Sequence, residues 1–180
     1  MFFLLVAFEP SNKILTSKTF IPWSAERPLQ WSDFKGKPDN NTAEAALTAS
    51  SIEFNYETNG TNLLRWTVNC KFFPDLSWSK KDNQSVSILK HEQLHFDITE
   101  LYARLMRKRL MSEIKSIKDI PKFKSITSGV MFEWNEQENS YDTETQHSMN
   151  TARQQEWNQS VAEGLESLKD YTATTFTVQK

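Results

Sequence analysis

Apolar and polar side chains alternate along two consecutive stretches of the chain, residues 46–57 and 64–73. A period of two residues is typical of a strand with one buried face. The stretches are separated by Thr-Asn-Gly-Thr at residues 58–61, and Asn-Gly is a strong signal for a hairpin turn. The pattern therefore predicts an antiparallel β-hairpin. A short strand followed by a Gly/Pro/Asn turn is predicted before it, within residues 29–40.

The period becomes helical after Ser85. Apolar side chains then recur at spacings of three and four residues, at Leu94, Ile98, Leu101, Tyr102 and Leu105. This spacing predicts a long helix that ends near Ile117, before a proline. An irregular, largely polar segment is predicted over residues 125–146, and a C-terminal helix over residues 151–171. The order of these elements predicts an α+β fold in which an N-terminal antiparallel sheet packs on the long helix and the C-terminal helix.

Composition and charge exclude several classes of protein. With 180 residues, 38% of them hydrophobic, the chain suits one packed domain rather than a disordered segment. Its 21 basic and 23 acidic residues leave no positive excess for nucleic-acid binding. Cys70 is the sole cysteine, which excludes an intramolecular disulfide framework and a cysteine-rich zinc site. We expect its thiol to be buried and inert.

The N-terminus carries a short apolar run, residues 2–8. It is too short to span a bilayer, so no stable membrane insertion is expected. We interpret residues 1–26 as the remnant of a signal peptide or as an N-terminal extension. The domain itself is predicted to occupy residues 27–175, and the protein is expected to be exported to the periplasm, cell envelope or medium.

The chain contains one His-Glu-x-x-His motif, His91-Glu92-Gln93-Leu94-His95, within the predicted long helix. Residues four apart lie on one face of a helix, so both imidazoles can bind a single Zn²⁺ ion. The carboxylate of Glu92 can flank the metal without binding it. There it can take a proton from water and return it to a leaving amine. The motif therefore predicts a zinc-dependent hydrolase.

A catalytic zinc site needs a third protein ligand. The remaining histidine of the chain, His147, precedes the predicted C-terminal helix and is our first candidate. Glu144 and Asp142 are competing candidates, because carboxylates also bind zinc.

Other polar residues have weaker claims to a role. Tyr141 is a candidate donor to a developing oxyanion, with packing in a loop as the alternative. Asp97 is interpreted as an acceptor behind a ligand or as a surface charge. Trp134 and Trp157 are expected in the core. The basic residues of segment 104–109 are interpreted as the solvated face of the long helix.

Four segments resemble a bacterial family of predicted secreted zinc-dependent proteases, long catalogued as a domain of unknown function. They are LQWSDFKGKPD from Leu29, HEQLHFDITELYAR from His91, YDTETQH from Tyr141 and QQEWN from Gln154. The resemblance covers about residues 27–170. It implies that His91, Glu92 and His95 form the family's motif and that His147 belongs to its later Tyr-Asp…Thr-x-His segment. Leu94 departs from the family's usual glycine.

These observations lead to one main hypothesis and two alternatives. The main hypothesis is a zincin-like metallopeptidase in which His91, His95 and His147 hold Zn²⁺ and Glu92 acts as general base and acid. Its partner is a peptide or protein substrate, which the hairpin is expected to bind along an edge strand. The alternatives are a zinc amidohydrolase acting on a non-protein or cell-wall substrate, and a non-catalytic metal-stabilised binding module.

Overall fold

The computed structural model of the chain describes residues 19–179. Its strands are β1 (Ile21–Pro22), β2 (Ala46–Leu47), β3 (Ser50–Thr58), β4 (Leu63–Phe72), β5 (Trp78–Ser79) and β6 (Thr175–Gln179). Its long helices are α1 (Val86–Glu113), α2 (Ile120–Thr145) and α3 (Thr151–Ser167). The α+β class is confirmed, with an N-terminal antiparallel sheet and three helices.

The predicted hairpin forms the centre of the larger sheet. β3 pairs with β4 along its whole length, and β4 pairs on its other edge with β1 and β6. The turn between β3 and β4 is closed by Asn59, whose Oδ1 accepts hydrogen bonds from the backbone amides of residues 61–63. Gly60 adopts a φ of 79°, a left-handed conformation that glycine adopts without strain. The short strands β2 and β5 pair separately beside this sheet.

One β prediction is wrong, and two strands of the larger sheet were not predicted. The strand expected within residues 29–40 is wrong, because residues 31–33 form one turn of 3-10 helix. Asp33 stabilises that turn by accepting hydrogen bonds from the Gln30 amide and from Arg27. The strands β1 and β6, which pair with β4, were not predicted.

Helix α1 begins at its N-cap Ser85, whose hydroxyl accepts from the Ile88 amide, and ends four residues before the predicted end at Ile117. Its buried face contacts the sheet through Phe96, Met106 and Leu110, among others. The long helix was therefore predicted correctly apart from its C-terminal end.

The irregular segment predicted over residues 125–146 is wrong, because most of it belongs to α2. Pro121 lies in the first turn of α2, where a missing N–H removes no helical hydrogen bond. Within the helix, Phe123, Val130 and Tyr141 are buried while many polar side chains between them lie on the outer face. The polar composition of residues 133–146 thus concealed an amphipathic helix.

The prediction that the basic segment 104–109 forms a solvated face of the helix is wrong for two of its residues. Arg104 and Arg107 are buried, with only 6% and 1% of their surface exposed. Both bind the buried carboxylate of Glu100, one or two turns earlier on α1. The prediction failed because a paired guanidinium group can be buried, and the sequence alone does not reveal the pairing.

Several smaller predictions can also be compared with the structure. Cys70 is buried, and burial raises the pKa of its thiol well above the ordinary value. Trp157 lies in the core as predicted, whereas Trp134 is only partly buried. The apolar run at residues 2–8 lies outside the described residues. Within the part of the chain that the structure describes, no helix is long and apolar enough to cross a membrane.

Candidate metal centre

Helices α1 and α2 bring three potential metal ligands to one point. His91 and His95 lie four residues apart on α1, and their rings contact each other edge to face. Their Nε2 atoms are 3.3 Å apart. Oδ1 of Asp142, from α2, lies 3.2 Å from Nε2 of His91 and 3.0 Å from Nε2 of His95. The three ligand atoms therefore form a nearly equilateral triangle.

This triangle has the dimensions of a zinc site. Ligand atoms about 2.0–2.1 Å from a tetrahedral zinc ion lie about 3.3–3.4 Å from one another. The measured separations of 3.0–3.3 Å are close to that value. Imidazole nitrogens and a carboxylate oxygen are also ligands that zinc prefers. The residues present therefore fit a zinc ion that has three protein ligands.

The other ring nitrogen of His95 is held by Glu138. Nδ1 of His95 lies 2.5 Å from Oε2 of Glu138, one turn before Asp142 on α2. Glu138 itself accepts hydrogen bonds from Nε1 of Trp134 and from the Thr99 hydroxyl. An ionised carboxylate can only accept hydrogen bonds, so Nδ1 of His95 carries the proton. This arrangement fixes the ring and leaves Nε2 as its metal-binding atom.

His91 is held in the same way from α3. Its Nδ1 lies 3.1 Å from Oε1 of Gln154. The hydroxyl of Tyr141 lies 2.9 Å from that oxygen and 3.2 Å from the His91 carbonyl, and the Tyr141 ring stacks on the His91 imidazole. Because Oε1 of Gln154 accepts hydrogen bonds, Nδ1 of His91 also carries a proton and Nε2 presents its lone pair.

These protonation states leave the lone pairs of three acceptors facing one another. Two neutral imidazoles and one carboxylate present no hydrogen atom to the centre of the triangle. Such an arrangement is repulsive unless a cation lies between the three atoms. The cation is either a proton or a metal ion.

Neighbouring groups shift the pKa values of Asp142 and His95 in directions that favour a cation at the centre of the site. Burial disfavours ionisation of Asp142, yet its close contacts with the rings of His91 and His95 hold its pKa well below the usual range. Burial also disfavours protonation of His95, but the charges of Glu138 and Asp142 raise the pKa of that imidazole well above its ordinary value. In the metal-free protein, the site therefore favours a proton at the position where a metal ion would bind.

Glu92 lies next to the ligands without belonging to the triangle. Its side chain is buried, and Oε2 accepts a hydrogen bond of 2.7 Å from the hydroxyl of Thr48. Burial raises the pKa of Glu92, although the nearby histidines and the Thr48 hydrogen bond oppose that effect. A carboxylate with a raised pKa is a stronger base, as proton transfer at neutral pH requires.

A pocket of about 320 Å³ opens onto this group of residues. One wall is the segment 44–50, which includes β2, and the opposite wall comes from α2. His91, Glu92, His95 and Asp142 all line the pocket. The ligands and the base therefore face a space that a substrate can enter.

His147 lies at the edge of the pocket, outside the group of three ligands. Its side chain is 56% exposed, and its Nδ1 lies 3.5 Å from Oδ1 of Asp142. It belongs to a left-handed turn in which residues 146–148 have φ values of 50°, 49° and 74°. The assignment of His147 as third ligand stays a prediction, while the geometry favours Asp142, the alternative considered above.

The other candidates of the sequence analysis lie in different surroundings. Tyr141 is fully buried behind the histidines and does not line the pocket, which favours packing over an oxyanion role. Glu144 binds Arg153 and Nε1 of Trp157, and so connects α2 to α3. Asp97 accepts hydrogen bonds from Trp23 and Gln93 rather than from a ligand.

Three contributors were not found in the sequence: Glu138, Gln154 and Thr48. Glu138 and Asp142 are four residues apart, so a helical interpretation of residues 133–146 would have placed them on one face. Gln154 lies within the QQEWN segment but had no visible link to the motif. Thr48 comes from the far wall of the pocket, and no local pattern connects it with Glu92.

Comparison with known proteins does not extend this description. No family model, no curated protein and no solved structure matches the chain.

Proposed function

We propose that the protein is a zinc-dependent metallopeptidase whose metal is held by His91, His95 and Asp142. The observation that carries the proposal is the convergence of two Nε2 atoms and one carboxylate oxygen within 3.3 Å, with both Nδ1 atoms held by acceptors. A buried carboxylate beside such a group is needed for hydrolysis but not for a structural metal site. This favours an enzyme over a metal-stabilised binding module.

Each residue then has a definite task. Zinc, when bound, supplies Lewis acidity that activates water and polarises the scissile carbonyl. Thr48 holds Oε2 of Glu92, which leaves Oε1 to take a proton from the attacking water. Glu92 then returns that proton to the nitrogen of the leaving amine. Glu138 and Gln154 keep the imidazoles oriented throughout.

A peptide substrate is favoured by the wall that β2 forms. The Lys80 amide donates to the Ala45 carbonyl, and Ala46 lies opposite Ser79 in the same ladder. In an antiparallel ladder the backbone groups of alternate residues point outwards, so those of Ala46 face away from β5. Ala46 also lines the pocket. An extended peptide can pair with this edge of β2. The sequence analysis instead expected the peptide to bind along the β3–β4 hairpin, which follows β2 in the chain.

Amide hydrolysis of a non-protein or cell-wall substrate remains the second candidate. It would use the same ligands and the same base, and only the substrate would differ. A screen that includes unfolded proteins, short peptides and cell-wall fragments separates the two. Export likewise stays a prediction, since it depends on residues 1–18, which lie outside the described part of the chain.

The proposal is tested with Glu92→Gln, compared with Glu44→Gln at the edge of the same pocket. Glu92→Gln should keep about one zinc per chain while cleavage of an unfolded protein falls by at least about 100-fold, because the proton acceptor is lost. Glu44→Gln should retain activity within a few-fold. Zinc content is measured by elemental analysis, and cleavage by mass spectrometry of the products.

Two results would contradict the mechanism. One is full activity in Glu92→Gln, which would exclude that carboxylate as the base. The other is a zinc-loaded wild-type protein that cleaves no protein, peptide or cell-wall fragment. That result would favour the binding module.

A further inference from the structure

A second pocket of about 570 Å³ lies at the edge of β4, between β1 and β6. β1 pairs with residues 71–72 of β4 and β6 with residues 63–67, so β4 lacks a paired strand between them. We call this space the β4-edge pocket and define it by Trp23, Asn69, Glu100, Arg104, Arg107 and Thr174. It includes none of the residues of the candidate metal centre.

Two buried guanidinium groups share one carboxylate in this pocket. Arg107 binds both oxygens of Glu100, and its remaining hydrogen bonds go to the carbonyls of Val68 and Tyr171. Arg104 binds Oε1 of Glu100 and the carbonyl of Leu165. Carbonyl groups accept the hydrogen bonds but carry no net charge. Glu100 carries one negative charge, whereas Arg104 and Arg107 carry two positive charges. One of these positive charges therefore has no carboxylate to balance it within the group.

Other nearby carboxylates do not balance that charge inside the pocket. Asp97 is held by Nε1 of Trp23 and by Gln93, and it does not line the pocket. Glu166 is exposed and pairs with Lys169. Glu26 lies at the mouth, where it is exposed to solvent. Water screens an exposed carboxylate strongly, so it compensates a buried cation only weakly.

Arg104 is the group best placed to bind a ligand. Its guanidinium lies over the Trp23 ring, 5.0 Å from the ring centre. Among the described residues, its Nη2 has no hydrogen-bond partner. Asn69 and Thr174 add an amide and a hydroxyl to the lining, and both can donate hydrogen bonds. A planar guanidinium with free donors is suited to carboxylates and phosphates.

We propose that the β4-edge pocket binds the carboxylate or phosphate group of a small anionic ligand, with Arg104 as its principal contact. This site is independent of the metallopeptidase proposal, because Arg104 lies nine residues beyond His95, about two and a half turns along α1. The ligand would supply the negative charge that the lining lacks.

Binding is tested by calorimetric titration with inorganic phosphate and, separately, with succinate, at constant ionic strength set by sodium chloride. The titrations are made on the protein as purified and after chelation, so that binding at the metal centre is recognised. We expect saturable binding of at least one anion that survives chelation. Preference for phosphate or succinate identifies which group the natural ligand carries.

Arg104→Gln should weaken binding by about 10- to 100-fold, the effect of losing a charge-assisted hydrogen bond. Arg109→Gln is the matched control, because Arg109 lies on the same helix but pairs with Glu133 outside the pocket. It should bind the anion like the parent protein. Circular dichroism verifies that both variants are folded.

A second pair of variants leaves the buried groups intact. Ala25 is exposed at the mouth of the pocket, so Ala25→Glu places a repelling charge there and Ala25→Gln a neutral side chain of similar size. Ala25→Glu should bind the anion about two- to fivefold more weakly than Ala25→Gln. If Arg104→Gln does not fold, the comparison of these two Ala25 variants tests whether the pocket binds an anion. The proposal is overturned if neither anion binds saturably, or if the anion binds equally well to both Ala25 variants.

Discussion

The two halves of α1 bury polar groups in opposite ways. Towards its N-terminus, Nε2 of His91, Nε2 of His95 and Oδ1 of Asp142 face one another, and the partners of the two Nδ1 atoms make all three of them acceptors. Towards its C-terminus, the carboxylate of Glu100 accepts hydrogen bonds from the guanidinium groups of Arg104 and Arg107. The first group depends on an added cation, whereas the second connects α1 to the sheet and to the C-terminal segment without one.

This difference predicts different consequences for substitutions in the two groups. The C-terminal group binds the carbonyls of Val68, Leu165 and Tyr171, so it joins three separate parts of the chain. The N-terminal group lines an open pocket, and Glu138 and Gln154 orient its two imidazoles. We therefore expect changes in the C-terminal group to lower the free energy of unfolding, and changes in the N-terminal group to alter metal affinity.

The largest effect on stability is expected for Glu100→Ala. It leaves two buried guanidinium groups without a carboxylate, and the free energy of unfolding should fall by about 3–5 kcal/mol. Glu133→Ala, which breaks the half-exposed pair with Arg109, should cost no more than about 1 kcal/mol. Urea titrations followed by circular dichroism measure both. Equal losses in the two variants would remove the distinction between a buried network and a surface pair.

A smaller effect, on metal affinity rather than on folding, is expected for Glu138→Gln. The neutral amide still accepts a hydrogen bond from Nδ1 of His95 but no longer supplies a charge, so zinc affinity should fall by about 10- to 100-fold. Glu133→Gln, five residues earlier on α2, is the control and should leave zinc affinity unchanged. Competition with a chromogenic chelator gives both affinities. An unchanged affinity in Glu138→Gln would mean that this carboxylate does not tune the metal site.

The smallest effect is expected for Asp119, a partly buried carboxylate that belongs to neither group. Hydrogen bonds from Lys122 and from the Lys115 amide lower the pKa of Asp119 from 3.8 to about 2. A lowered pKa in the folded state contributes stability above about pH 4, and that contribution disappears as the pH falls towards 2. Asp119→Asn should therefore lower the melting temperature at pH 7 slightly, by an amount that shrinks between pH 4 and pH 2.

The control for this pH effect is Asp82→Asn. Asp82 is exposed, and its side chain makes no hydrogen bond among the described residues. Its replacement should give no comparable pH-dependent difference between variant and parent. A difference in melting temperature between Asp119→Asn and the parent protein that stays constant from pH 7 to pH 2 would show that the hydrogen bonds of Asp119 act independently of its charge.

Local patterns predicted the parts of the fold that depend on local chemistry. The alternation and the Asn-Gly turn were sufficient for the β3–β4 hairpin, and the apolar spacing was sufficient for most of α1. Helix α2 was missed because its outer face is polar and because no residue between Met131 and Tyr141 is buried. β6 was missed because a five-residue strand acquires its identity by pairing with β4, a contact remote in sequence.

The residues of the candidate site also divide into those that a local motif predicts and those that depend on tertiary packing. His91, Glu92 and His95 are close in sequence, and the motif was sufficient to find them. Asp142 approaches from α2, and its position depends on how two helices pack, so the sequence left it as one of three possible third ligands. The burial of Arg104 and Arg107 was likewise invisible, since it depends on pairing with Glu100 and on carbonyls from distant segments.

The most direct test of the central claim is the zinc content and zinc affinity of the wild-type protein, Asp142→Ala and His147→Ala, measured side by side. We predict about one zinc per chain in the wild type, an affinity reduced by about 100-fold or more in Asp142→Ala, and nearly unchanged zinc binding in His147→Ala. Zinc retained in Asp142→Ala but lost in His147→Ala would contradict the assignment of the third ligand. A wild-type protein that binds no zinc after reconstitution would contradict the metal centre itself.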